Sequence, residues 1–183
     1  WSSLHPEFAY LPRKFKIAVS GARSDRAAVQ VHDIGLRLVH DAQGELGFEV
    51  LVGGGLGRTP IIGQVIREFL PTQHLLSYLE AILRVYNLHG RRDNKYKARI
   101  KILLKAMGLP AFTEQVEVEW QMIKDSDLKL PQAEIDRVSE HFGQPDYLPP
   151  ATASCDKIIA VADPEYQRWL QHNVLPHQQP GYR

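Results

Sequence analysis

Four glycines fall within five positions at Gly53-Gly54-Gly55-Leu56-Gly57, and they separate two periodicities. Before them apolar residues alternate or cluster in short runs; after Pro60 they recur at three- and four-residue spacing. A single change of this kind predicts an α+β fold, with a mostly antiparallel sheet laid down first and helices covering it. Strands are expected at about 14–20, 29–40 and 46–52. The last two form a hairpin across Asp41-Ala42-Gln43-Gly44, where Asp and Gly supply turn chemistry. Helices are expected at about 60–70, 72–88, 94–107, 111–125 and 131–141, with Thr72 capping the second, Gly108 closing the third and Pro131 opening the fifth.

The first strand grows out of Leu11-Pro12-Arg13-Lys14-Phe15-Lys16 and runs on to Gly21. In extended backbone, residues i and i+2 share a face. Lys14 and Lys16 therefore project together, and Phe15, Ile17 and Val19 turn the other way into a core. Paired lysines also suit an edge strand, where charge blocks unwanted pairing. The glycine run has two readings as well: a flexible turn, or a cradle whose bare backbone N–H groups bind anionic oxygens. It is neither a dinucleotide fingerprint nor a P-loop, because no offset gives G-x-G-x-x-G and no Gly-Lys-Ser/Thr follows. Residues 91–101 are the most basic segment and open a helix, either as a solvated start or as a patch that neutralises a polycarboxylate. His74 and His89 have no partner at metal-ligand spacing and read as structural; no metal ligand is assigned.

With 183 residues and 44% apolar content, the chain can bury the core of one domain and part of another. Pro145, Pro149 and Pro150 punctuate a linker, which sets residues 1–141 as one domain and 142–183 as a linker leading into a second half-domain. Within the latter a helix is expected over 163–175, with Trp169 and Leu170 packed inward. Twenty-two basic and 21 acidic residues leave a formal charge of +1, so no global field argues for nucleic acid or an acidic membrane. No apolar run is long enough to span a bilayer and no signal core opens the chain, which suits a cytoplasmic protein. Cys155 is the single cysteine, which excludes an internal disulfide and any Cys-only metal or iron–sulfur site made by this chain alone. A start at Trp1 and a stop at Gly181-Tyr182-Arg183, where a strand would begin, read as an excerpt of a longer protein.

The lysine motif, the short apolar strand, the hairpin and the glycine triplet, in that order, resemble the sirohaem-binding repeat of the sulfite and nitrite reductase haemoproteins. That resemblance implies that Lys14 and Lys16 are catalytic, holding the anion in a distal pocket and helping to deliver protons during a six-electron reduction. It also implies that Arg13, Gly53, Gly54 and Gly55 lie near the cofactor's carboxylates. Arg91, Asn94 and Lys95 match the family's Arg/Asn/Lys-rich helix start. The implied cofactors are sirohaem and a [4Fe–4S] cluster, the latter held by four cysteines downstream of this chain; no ligand role passes to Cys155. The implied partners are sulfite or nitrite, an electron donor (ferredoxin or an NADPH-dependent flavoprotein) and the rest of the same polypeptide. Assimilatory sulfite reduction is the first reading and nitrite reduction its alternative. A reading of another class, a non-catalytic anion or nucleic-acid binding module built on 91–101 with Lys14 and Lys16, is opposed by the near-neutral charge and by the lack of interleaved aromatics beyond Tyr96.

Overall fold

The computed structural model describes residues 1–22, 24–143, 145–148 and 163–177. It divides into two compact units, residues 1–140 and 141–183. The first unit opens with single 3-10 turns at Ser2–Leu4 and Phe8–Tyr10. Four strands follow, β1 (Ile17–Ser20), β2 (Ile34–His40), β3 (Leu46–Val52) and β4 (Gln64–Pro71), hydrogen-bonded in that order. β1 runs parallel to β2, and the other two pairs are antiparallel. The helices are α1 (Leu75–His89), α2 (Ile100–Met107), α3 (Leu109–Ile123) and α4 (Gln132–Ser139).

The helix expected at 60–70 is instead β4, the fourth strand of the sheet. Irregularities in its pairing with β3, between Phe48 and Val50 and again between Val50 and Leu51, interrupt the two-residue alternation. The buried positions Ile66 and Leu70 fall four apart, a spacing that one face of a strand and one face of a helix share. The first strand is shorter than expected, beginning at Ile17 rather than at 14, and β2 begins at Ile34 because Val29–Val31 forms a 3-10 turn. Thr72 supplies no side-chain cap to α1, which starts from a 3-10 turn at Thr72–His74.

The core lies between the sheet and the helices. Ile34, Leu36, Val50, Val52, Ile66 and Leu70 pack with Tyr78, Ile82 and Tyr86 of α1, Ile100 and Leu104 of α2, and Phe112, Val116 and Trp120 of α3. Each large side chain of this kind contributes roughly 1.5–3 kcal/mol by leaving water. β1 departs from expectation here too. Its register sets Ile17 opposite Ile34 and Val19 opposite Leu36, yet Ile17 and Val19 are 37% and 52% exposed. An edge strand keeps the alternation but stands at the margin of the helical cover.

A polar clamp joins α3 to β4 and α1. Arg67 Nη1 donates to both carboxylate oxygens of Glu117 at 2.8 Å, and the Tyr78 hydroxyl donates to the same carboxylate at 2.7 Å. The guanidinium lies 4.6 Å from the Trp120 ring centroid, and Trp120 Nε1 donates to Ser77 Oγ. Gly108 turns α2 into α3 with φ +84°, its N–H bonded to the Leu104 carbonyl and Pro110 just beyond.

In the second unit, α5 (Pro164–Asn173) is capped by Asp163, which accepts from the N–H groups of Glu165 and Tyr166. Trp169 is 53% exposed and stacks on Tyr166 rather than packing inward as expected. Cys155, most of the proline linker and the strand expected at 181–183 lie outside the described residues. No helix among the described residues is long and apolar enough to cross a membrane.

Candidate functional site

β3 delivers its chain into Gly53, Gly54 and Gly55, all three buried. Gly53 takes φ +86°, and its N–H donates to the Asp33 carbonyl at 3.0 Å. A Cβ on Gly54 would collide with the carbonyl oxygens of Gln30 and His32, and one on Gly55 would meet the Arg99 guanidinium at 3.0 Å. Gly55 and Ile61 exchange N–H···O bonds of 2.9 Å in both directions. This corrects the expected open nest: the N–H groups of Gly53 and Gly55 are bonded within the chain, and the missing side chains admit neighbouring backbone and Arg99. The exposed part of the loop is its tip, Leu56 to Thr59, with Gly57 at φ +105° and Arg58 beside it. Lys101 braces the tip from within, its Nζ donating to the carbonyls of Thr59 at 2.7 Å and Leu56 at 3.3 Å. Burial holds the Lys101 pKa below the usual lysine value, and the Arg99 charge adds to the effect.

Residues 13–16 lead into β1 on a backbone held by a buried carboxylate. Asp33, 1% exposed, accepts the Lys16 N–H on Oδ2 at 3.1 Å. Its Oδ1 accepts from Arg99 Nε at 3.1 Å and Nη2 at 2.8 Å. Tyr86 donates its hydroxyl proton to the Ala98 carbonyl at 2.8 Å. Burial, and after it the charge of Asp33, pushes the Tyr86 pKa up to about 12. Phe15 is half-buried, its ring 5.9 Å from that of Tyr86. Lys14 and Lys16 are exposed, and among the described residues neither they nor Arg13 form an ion pair. Arg13 and Lys14 line a cleft of about 550 Å³ whose apolar wall includes Phe8, Leu11, Phe15 and Ile17.

Asp33 thus joins the lysine segment, the glycine turn and Arg99, which lie far apart in sequence. The other candidates are engaged locally. Arg91 is forked on Asp93, whose carboxyl it holds below the usual carboxylate range. The Asn94 side chain accepts from the Tyr96 N–H and caps a 3-10 turn, and Lys95 Nζ lies 5.3 Å from the Tyr96 ring. The basic segment reaches the loop through Arg99 and Lys101 instead. Sequence reasoning passed over both as site residues, along with Asp33 and Tyr86. The one signal for Asp33 is an acid set inside an apolar β run, between His32 and Ile34. Among the described residues no three His, Cys, Asp or Glu side chains gather to hold a metal ion.

Residues 1–124 match the family model described as the nitrite and sulphite reductase 4Fe-4S domain. The chain belongs to this family. All the candidate residues named above, from Arg13 to Lys101, lie within the matched stretch, which ends with α3. The chain is 32% identical over 139 residues to "Sulfite reductase [ferredoxin] 1" of Mycolicibacterium paratuberculosis, covering 76% of this chain and 24% of that protein. It is 37% identical over 115 residues to "Sulfite reductase [ferredoxin]" of Synechococcus elongatus, covering 59% and 18%. It is 34% identical to the "Sulfite reductase [NADPH] hemoprotein beta-component" of Myxococcus xanthus, covering 59% and 20%. Among solved structures, that of Mycobacterium tuberculosis NirA protein is similar, with a TM-score of 0.59 and 32% identity over 64% of this chain and 21% of that one. The chain therefore spans less than a quarter of the length of these reductase relatives.

Proposed function

We propose that this chain is the sirohaem-binding repeat of an assimilatory sulfite reductase haemoprotein, and that Lys14 and Lys16 bind the anion and help to protonate it. The observation that carries this reading is the pair of exposed lysines without ion-pair partners among the described residues, set on a backbone anchored by buried Asp33. Two positive charges lower the free energy of bringing sulfite to an electron-rich centre, and lysine N–H groups can supply protons where S–O bonds break. Preorganisation matters because a lysine stem is flexible; anchoring its backbone reduces the search at the moment of reaction.

The cation set fits sirohaem, a polycarboxylate. Arg13 beside the lysines and Arg58 at the exposed loop tip would hold its carboxylates, with Lys101 bracing that tip. When bound, sirohaem supplies the iron at which the anion is reduced. A [4Fe–4S] cluster does not fit this chain alone, since one cysteine cannot supply four thiolates. Its ligands belong to other parts of the polypeptide, and electrons come from ferredoxin or an NADPH-dependent flavoprotein. The names of the relatives above favour sulfite over nitrite.

The test uses the full-length protein, loaded with both cofactors and supplied with a chemical reductant. Expected is stoichiometric formation of sulfide, with kcat/KM for sulfite at least about tenfold above that for nitrite, a difference of about 1.4 kcal/mol in transition-state binding. Ammonia formation with the higher kcat/KM would assign the chain to nitrite reduction. Failure to reduce either anion would overturn the reading.

A further inference from the structure

We propose that Asp33 is a positioning residue of the anion site, acting through the backbone of Lys16 and the guanidinium of Arg99. The inference rests on the reading of Lys14 and Lys16 given above. Asp33 is 1% exposed, and every hydrogen bond to its side chain is accepted: Lys16 N–H on Oδ2, Arg99 Nε and Nη2 on Oδ1. Its own carbonyl accepts the Gly53 N–H. A buried carboxylate is costly to desolvate and is kept where it is paired and both oxygens are used. The chemistry needs a carboxylate and not merely its shape. An asparagine has one acceptor oxygen and one NH2, so it must turn a donor toward either the Lys16 amide or Arg99.

The contact is also specific within the motif. Asp33 bonds the amide attached directly to the Lys16 Cα, and so constrains where that side chain leaves the backbone. Lys14 shares no hydrogen bond with Asp33. Arg99, oriented by the same carboxylate, packs against Gly55 and sets the wall of the glycine turn. Displacing a reacting group by about 1 Å can cost up to a hundredfold in rate, so a shift of the Lys16 backbone should register in turnover before it registers in folding.

The experiment is a pair of double-mutant cycles in the full-length, cofactor-loaded protein, with kcat/KM for sulfite as the readout. Asp33→Asn alone is expected to retain the haem absorbance and to lose about tenfold in kcat/KM. Combined with Lys16→Arg, which keeps a charge but changes its reach, Asp33→Asn should add less than about twofold. Combined with Lys14→Arg, it should again cost about tenfold. Equal losses in both backgrounds, or wild-type turnover for Asp33→Asn, would overturn the proposal. Wild-type turnover for Lys16→Met would instead remove the anion-site reading beneath it. Should Asp33→Asn not accumulate as loaded protein, Arg99→Lys replaces the fork by a single donor and should show the same selective coupling to Lys16. If neither variant yields loaded protein, Asp33 is a folding residue and the proposal fails.

Discussion

Tyr86 shows how one buried side chain can join two parts of the core. Its ring is fully buried, and its hydroxyl donates to the Ala98 carbonyl in the lead-in to α2. Burial and the Asp33 charge favour the protonated phenol, raising its pKa from 10.0 to about 12. The sign follows from linkage. Below pH 10 the phenol is protonated in both folded and unfolded chains and its contribution is complete; between 10 and about 12 only the unfolded chain releases the proton, so stability falls. Tyr86→Phe should lower stability at pH 7 by about 1–2 kcal/mol, because the Ala98 carbonyl is left without its bond. It should also flatten the decline of Tm above pH 10. Tyr78, raised by burial and by Glu117, supplies the remaining slope. An unchanged alkaline slope in the variant would contradict the assignment. At this scale Lys14 and Lys16 are legible because their spacing is short-range. Asp33 and Tyr86 are not, because their roles depend on bonds to backbone distant in sequence.

Elements were legible where one periodicity had no competitor. α1 and α3 emerge because apolar positions such as Tyr78, Ile82 and Tyr86, or Phe112, Val116 and Trp120, recur at four-residue spacing with no bulge to disturb them. β4 carries two signals: Ile61, Val65 and Phe69 recur at four-residue spacing, which a helix face and a strand face share, while the β-branched Ile61, Ile62, Val65 and Ile66 favour the strand. The division of the basic segment was equally hidden: Arg99 and Lys101 turn toward the glycine loop, whereas Arg91 pairs with Asp93 and Asn94 accepts from the Tyr96 N–H. The α3 clamp makes an element-scale prediction. Glu117→Gln removes the charge that binds Arg67 and receives the Tyr78 hydroxyl, so stability should fall by about 1–3 kcal/mol. Sulfite turnover at a temperature where the variant is folded should be unchanged, since α3 contributes no site residue. Denaturant unfolding and kcat/KM on one preparation decide it, and an unaltered midpoint would show that the clamp adds nothing.

At the scale of the whole molecule, β1 to β4 and α1 to α3 make up the stretch matched to the nitrite and sulfite reductase family, and every proposed site residue lies within it. That unit holds cations at 13–16 without ion-pair partners among the described residues, a loop braced by Lys101, and Asp33, whose carboxylate and carbonyl tie both to one frame. What it lacks is thiolate, with Cys155 alone in the sequence. Under the proposed function, charge and position would come from this part of the protein and cluster ligation from another. The most direct measurement is made on the full-length protein carrying Lys14→Met or Lys16→Met, which keeps most of the stem's packing but deletes the charge. Haem absorbance and sulfite-dependent electron consumption are recorded on the same preparation. The expected result is sirohaem content close to wild type with electron consumption reduced by about a hundredfold or more. Wild-type consumption by both variants would return these lysines to the role of a charged strand margin, and loss of sirohaem from both would make them cofactor ligands rather than catalytic residues.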